Sequence, residues 1–304
     1  MKTLVFLAGP TAVGKTAVSI HLARLLNAEI ISCDSMQVYK GMDIGTGKPL
    51  LSKLRQVQHH MISIVSPLRN FSVADFRNKA IDCIKLIEAR DKKVIFAGGT
   101  ALYMKALIDG LFPSPRADYA LRRELLGKEK LNGIGYLHKE LYKVDRPSAK
   151  LLHPNDTRRI IRALEVYIKT GMPMSVLKKR TKGLKQKYDI KIFCLNRDRQ
   201  ELYRMIEDRI NRMFRKGLLA ECKKLKKKRL SMTAKKALGY KEIFDYLDNK
   251  INLKDAKELI KKNTRNFAKR QLSWFRNDKR IEWIDVDKKS PGQIADIIAG
   301  KCCG

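Results

Sequence analysis

The octapeptide Gly9-Pro10-Thr11-Ala12-Val13-Gly14-Lys15-Thr16 fits the spacing G-x-x-x-x-G-K-[ST]. Glycines let backbone N–H groups curl around phosphate oxygens, and a helix N-terminus behind them adds partial positive charge. Lys15 supplies a full charge, and the Thr16 hydroxyl can hold Mg²⁺. The motif predicts a site for a diphosphate or longer group and does not specify ATP. A second run that can do chemistry is Cys33-Asp34-Ser35-Met36-Gln37-Val38-Tyr39, which follows the short apolar segment 29–32. In open α/β sheets, residues just past the carboxyl end of a strand face the ligand crevice. Asp34 is therefore a candidate general base and Gln37 a candidate hydrogen-bonding partner for a base edge. The competing role for Asp34 is a helix cap with no chemistry.

These residues need elements to hold them. Residues 4–8 form an apolar run ending in Gly9-Pro10, the pattern of a strand feeding a loop, and 17–26 have helical periodicity. Over 71–90, Val73, Phe76, Ala80, Ile84 and Ile87 recur at helical spacing, with Ser72 placed as N-cap and Asp75 three residues on. Residues 94–97 read as a buried strand ending in Gly98-Gly99-Thr100. Most nucleotide-hydrolysing relatives of the phosphate loop end that strand in an acid for the metal. Its absence here argues against a motor, helicase or ATPase.

Alternating strands and helices over the first 110 residues predict a parallel sheet of βαβ units. Phe112-Pro113-Ser114-Pro115 punctuates the chain, and 117–180 read as helical. A strand pattern returns at 189–195, helices fill 200–278, and 281–286 form a last short strand. The expected fold is α/β: a P-loop NTPase-like parallel sheet core over 1–115 and 190–304, with C-terminal helices, and a helical insertion over 116–189. Trp274 and Phe275 are expected in the core.

The 304 residues include 65 Lys+Arg against 31 Asp+Glu, a net charge of +34. Residues 1–110 carry a net +7 and 111–304 a net +27; the stretch 204–229 alone has 11 basic and 3 acidic residues. Such a field concentrates and steers polyanions; the alternative is a lysine-rich surface with no partner. Hydrophobic residues at 44% exclude global disorder. The absence of a long apolar run or a signal-peptide pattern predicts a cytoplasmic protein with no membrane span. The six cysteines form no C-x-x-C pair and are expected as reduced thiols, with Cys302-Cys303-Gly304 a frayed tail.

Several blocks together resemble the tRNA dimethylallyltransferase (isopentenyltransferase) family. They are GPTAVGKT at 9–16, DSMQVY at 34–39, GMDIGTGKP at 41–49, AGGTALY at 97–103, PNDTRRIIRALEVY at 154–167, GY at 239–240 and RQLSWFR at 270–276. They occur in the family's order and span nearly the whole chain. The zinc finger of some eukaryotic members has no counterpart here, so the resemblance is to the bacterial form.

The resemblance implies that a dimethylallyl group passes from dimethylallyl diphosphate to N6 of adenosine 37, beside the anticodon of a tRNA, and that diphosphate leaves. Asp34 would accept the N6 proton. Lys15, the loop 9–16 and Mg²⁺ on Thr16 would stabilise the leaving diphosphate. Arg209 aligns with a family arginine that contacts the diphosphate, and Thr100 would complete the reacting pocket. Matching tRNA contacts are Asp34, Ser35, Met36, Gln37, Thr100, Arg122, the run Arg158-Arg159-Ile160-Ile161-Arg162 and the run Lys236-Ala237-Leu238-Gly239-Tyr240-Lys241.

Arg158 and Arg162 share a helix face, with Glu165 an alternative ion-pair partner for Arg162. Tyr240 can stack on a base or pack as core. Lysine at 236 and 241, where relatives frequently carry arginine, keeps the charge and loses the planar fork. The implied partners are the anticodon stem-loop and dimethylallyl diphosphate, bound by a monomer. Two other readings compete: a small-molecule kinase with 117–180 as its lid, and a non-catalytic RNA-binding protein that keeps an old phosphate loop.

Overall fold

The computed structural model describes residues 1–303 and divides into two compact units, Met1–Ile108 with Lys187–Gly304, and Asp109–Gln186. The insertion thus begins several residues before the expected 116 and ends before 189. Phe112 packs against the insertion's own apolar core, which draws the Pro-rich segment into that unit. At the other end the returning strand starts at Asp189.

The first unit opens with β1 (Thr3–Ala8), α1 (Lys15–Leu25), β2 (Ala28–Ser32), α2 (Leu51–Leu54), β3 (His59–His60), α3 (Val73–Glu88), β4 (Lys93–Ala97) and α4 (Ala101–Ile108). The second unit is α5 (Tyr119–Asn132), α6 (Tyr136–Val144), α7 (Arg146–Leu151), α8 (Thr157–Thr170) and α9 (Met174–Lys179), closed by a 3₁₀ turn at Leu184–Gln186. The chain then returns to the first unit with β5 (Asp189–Asn196), α10 (Arg199–Arg215), α11 (Leu218–Lys226), α12 (Met232–Lys235), α13 (Tyr240–Leu247), α14 (Leu253–Arg276), β6 (Ile281–Asp285) and α15 (Pro291–Cys303).

The six strands form one parallel sheet in the order β3-β2-β4-β1-β5-β6. β1 is central and buried on both faces, so it reads as an unbroken apolar run rather than an alternation. Phe6 pairs in register with Phe96, and their rings stack at 4.6 Å. Because the strands are parallel, the loops at 9–14, 33–37 and 98–100 all leave the same edge of the sheet. α3 is anchored as its sequence suggests. Ser72 Oγ accepts the Asp75 N–H at 3.1 Å, the Asp75 carboxylate accepts the Ser72 N–H at 2.9 Å, and Phe76, Ala80, Ile84 and Ile87 are buried.

Two expectations are corrected. The tail is no frayed end: α15 runs to Cys303 and buries Ile294, Ala295 and Ile298; the Cys303 side chain and Gly304 lie outside the described residues. Trp274 is exposed while Phe275 is buried, because neighbours on a helix point about 100° apart. The two-residue β3 was not anticipated, being too short to show a period. Among the described residues the cysteines are free thiols, and no helix is long and apolar enough to cross a membrane.

In the second unit, α8 turns Ile160, Ile161, Ala163, Leu164 and Val166 inward against Leu125, Leu137 and Leu141. Glu165 is fully buried among them. It accepts from Arg122 Nη2 at 2.7 Å, from the Asp118 N–H at 2.7 Å, and from Arg162. Burial pushes its carboxyl up. The Arg122 guanidinium, the Asp118 amide and Arg162 outweigh this and bring it below the ordinary range.

Candidate active site

The loop between β1 and α1 holds Lys15 against its own backbone. Lys15 Nζ donates to the carbonyls of Gly9 at 2.8 Å and Pro10 at 2.6 Å. Burial, and then the positive charge of Arg209, lower the ammonium to about 8. The N–H groups of Ala12, Val13, Gly14, Lys15 and Thr16 donate to no protein acceptor among the described residues. They form a nest of donors at the start of a helix, which is an anion site. Thr11 departs from the expected cradle: its N–H donates to Gln271 Oε1 at 2.8 Å, and its hydroxyl lies 3.3 Å from Arg209 Nη1.

Arg209 reaches this nest from α10. It is fully exposed nowhere: it donates to the Thr46 carbonyl at 3.2 Å and lines the same cavity as Lys15. Burial lowers its pKa, against the opposing pull of Asp34. Two half-buried cations lining one cavity, with the free amides, make strong demand for a multiply charged anion.

Asp34 sits just past β2. Its Oδ1 accepts the N–H groups of Met36 at 2.8 Å and Gln37 at 3.3 Å, so it caps the turn at 35–38 and not a helix. The other oxygen has no protein partner among the described residues, and the residue lines the cavity. Cap and base are compatible because they use different oxygens. Thr100 Oγ1 accepts the Ser35 N–H at 3.0 Å and ties the turn after β4 to this segment. Gly98 permits that approach, since a Cβ there would stand 2.1 Å from the Cys33 carbonyl oxygen. Ser32 Oγ donates to Gln37 Oε1 at 3.1 Å, fixing the amide.

The cavity, about 690 Å³, brings together Lys15, Thr16, Asp34, Ser35, Met36, Gln37, Thr100, Arg209, Lys236, Ala237, Leu238 and Gly239. Not every expected contact has a free surface. Tyr240 is fully buried, its hydroxyl donating to Glu221 at 2.6 Å, so it packs as core and cannot stack on a base as placed. Ile160, Ile161 and Ala237 are also buried. Lys236 and Lys241 are exposed. Arg122 and Arg162 are held by Glu165, and Arg162 also donates to Ser114 Oγ at 2.7 Å and the Pro115 carbonyl at 2.9 Å. Arg159 pairs with Asp156, which leaves Arg158 as the exposed arginine of the run with no ion pair among the described residues.

Two further residues escaped the sequence reading. Gln271 bridges the phosphate loop and the turn after β4: its Oε1 takes the Thr11 N–H and its Nε2 donates to the Gly99 carbonyl at 2.8 Å. Arg212 lines the cavity one turn beyond Arg209. A neutral glutamine carries no signal of its own, although it stands inside the block RQLSWFR.

Residues 37–278 match the family model described as IPP transferase. The tRNA dimethylallyltransferase of Carboxydothermus hydrogenoformans is 48% identical over 297 residues, covering 97% of this chain and 96% of that protein. The crystal structure of the full-length tRNA isopentenylpyrophosphate transferase of Bacillus halodurans superposes with a TM-score of 0.73 at 40% identity, covering 99% and 97% of the two chains. A eukaryotic dimethylallyltransferase, captured acting on tRNA, superposes with a TM-score of 0.77 at 30% identity over 95% of this chain and 75% of that one. With a match over most of its length and relatives this similar across nearly all of it, the chain belongs to the IPP transferase family.

Proposed function

We propose that this protein transfers the dimethylallyl group of dimethylallyl diphosphate to N6 of adenosine 37 in tRNA, releasing diphosphate. The observation that carries this is the meeting, in one cavity, of a carboxylate with a free oxygen and a nest of amides flanked by Lys15 and Arg209. The nest suits a diphosphate leaving group. The carboxylate suits an amino nucleophile that must lose a proton.

In the reaction, N6 attacks C1 of the dimethylallyl group, the C1–O bond breaks, and the bonding pair leaves on the diphosphate. Asp34 takes the N6 proton, which it can do while Oδ1 keeps its two backbone donors. Lys15, Arg209 and the N–H groups from Ala12 to Thr16 meet the charge developing on the departing oxygens. Gln37 and Thr100 orient the base edge beside Asp34. The target base must leave its stack to enter such a cavity. The excess of positive charge supports attraction of the surrounding RNA, with the exposed Lys236, Lys241 and Arg158 as phosphate contacts.

A magnesium ion fits here as a companion of the donor. Thr16 is exposed to the cavity and its hydroxyl is free of protein partners, while no group of three or more His, Cys, Asp or Glu gathers among the described residues. Such an ion would take Thr16 and the donor's own phosphate oxygens as ligands, and when bound it neutralises leaving-group charge. The enzyme is further proposed to act as a cytoplasmic monomer on the anticodon stem-loop, with the insertion contributing RNA contacts. The test is incubation with unmodified tRNA and dimethylallyl diphosphate, followed by mass spectrometry of the digested nucleosides. Prenylated adenosine is expected, and its absence under conditions where the donor binds overturns the proposal.

A further inference from the structure

Glu221, on α11, carries a carboxylate with four hydrogen-bond donors and no basic partner among the described residues. It accepts the N–H groups of Asp43 at 2.9 Å, Ile44 at 2.9 Å and Gly45 at 3.1 Å, and the hydroxyl of Tyr240 at 2.6 Å. In a chain of net charge +34, a carboxylate that pairs with backbone amides instead of a cation is committed to shaping that backbone.

The segment it shapes leads directly to the phosphate site. Two residues past Ile44, the Thr46 carbonyl accepts Arg209 Nη2 at 3.2 Å. At Gly47, with φ +63, a Cβ would stand 1.9 Å from that same Nη2, so the guanidinium lies flat on the bare backbone. At Gly45 a Cβ would stand 2.5 Å from the Tyr240 ring, so the tyrosine that donates to Glu221 also presses on the loop. Arg209 needs such a hold. Lys15 is beside it, and the two like charges repel when no diphosphate lies between them. The Thr46 carbonyl opposes that repulsion, and Glu221 fixes the Thr46 carbonyl by gripping the three preceding amides.

Resting on the transfer reaction proposed above, we infer that Glu221, braced by Tyr240, is the positioning residue that sets Arg209 for the donor's diphosphate. The carboxylate touches neither substrate. It acts through the loop 43–47 on a guanidinium that does.

The experiment is calorimetric titration of inorganic diphosphate, which needs no turnover, into wild type, Glu221→Gln, Glu221→Asp, Tyr240→Phe, Arg209→Ala and the Arg209→Ala/Glu221→Gln double variant. Glu221→Gln keeps the shape and loses acceptor capacity, so diphosphate affinity should fall about tenfold. Tyr240→Phe leaves the three amides in place and should fall about threefold. Glu221→Asp should recover part of the loss. The double variant should bind no worse than Arg209→Ala alone, because Glu221 has nothing left to position. Filter-binding affinity for tRNA should be unchanged in Glu221→Gln and Tyr240→Phe.

Multiplied losses in the double variant, or wild-type affinity in both Glu221→Gln and Tyr240→Phe, overturn the inference. So does a parallel loss of diphosphate and tRNA affinity in Tyr240→Phe, which marks a general strut. If Glu221→Gln does not fold, Tyr240→Phe combined with Arg209→Ala supplies the same cycle. A wild type that binds diphosphate yet yields no prenylated adenosine overturns the proposed function and leaves this result readable.

Discussion

Gln271 accepts the backbone N–H of Thr11 at 2.8 Å although the two residues stand 260 positions apart. The same amide donates to Gly99, so one side chain on α14 pins both the phosphate loop and the turn before Thr100. Gln271→Ala strands two backbone groups and should cost about 1–3 kcal/mol of stability in urea unfolding, with a raised KM for the donor. Gln271→Glu keeps an acceptor for Thr11 and adds negative charge beside the anion nest. Steady-state kinetics should show a larger donor KM for Glu than for Ala; the reverse order would separate Gln271 from the diphosphate site.

Asp34→Asn preserves an oxygen for the Met36 and Gln37 amides, so the turn should survive. Turnover should fall roughly 10²–10⁴-fold with diphosphate affinity little changed. Turnover within a factor of about three of wild type removes Asp34 as the base.

Nothing in the nest reads adenine, since its donors are backbone amides, Lys15 and Arg209. Inorganic diphosphate should therefore compete with the isoprenoid donor, and ATP should not be cleaved when tRNA is added. Stoichiometric release of ADP during turnover would return the protein to the kinases. Lys15→Ala should weaken diphosphate binding while leaving the salt dependence of tRNA binding intact.

Arg158 and Arg162 lie on one helix face and do different work. Arg158→Ala should flatten the log–log salt dependence of tRNA affinity by up to about one unit in filter binding. Arg162→Ala should instead destabilise the insertion, because Arg162 neutralises the buried Glu165. An unchanged slope in Arg158→Ala would make that arginine ordinary solvated surface.

Glu165→Gln should cost about 2–4 kcal/mol at neutral pH, allowing for the partial exposure of both arginines. The sign of its pH dependence follows from a carboxyl lowered in the folded state. Its contribution is complete above the ordinary carboxylate range and is lost as pH falls through the lowered value. Urea titrations should show wild type and Glu165→Gln far apart at pH 7 and converging in acid. A gap that stays constant would show that the charge is not what stabilises the unit.

Features that depend on neighbours along the chain were legible. The phosphate loop, the Ser72–Asp75 box, the parallel sheet and the placement of Asp34 follow from spacing and from strand ends. Contacts closed by the tertiary fold were not. Glu221 meets Gly45 across 176 positions, and Gln271 meets Gly99 across 172. A lone glutamate in a lysine-rich helix and a glutamine on a long one look like surface. Tyr240 and Ile160 sit within runs that resemble RNA-contacting segments, yet helical geometry turns them inward. A block assigned as a unit in one dimension divides between faces in three.

The strand order also bears on how the chain is made. Everything needed for β3-β2-β4-β1 lies in the first 108 residues, and β5 follows only after the whole insertion. At ribosomal speeds of about 5–20 residues per second, the free side of β1 waits several seconds for its second neighbour. During that interval the future centre of the sheet is an unpaired apolar edge, the kind of template on which nascent chains stick to one another. The insertion therefore lengthens the interval during which β1 stands with only one neighbour.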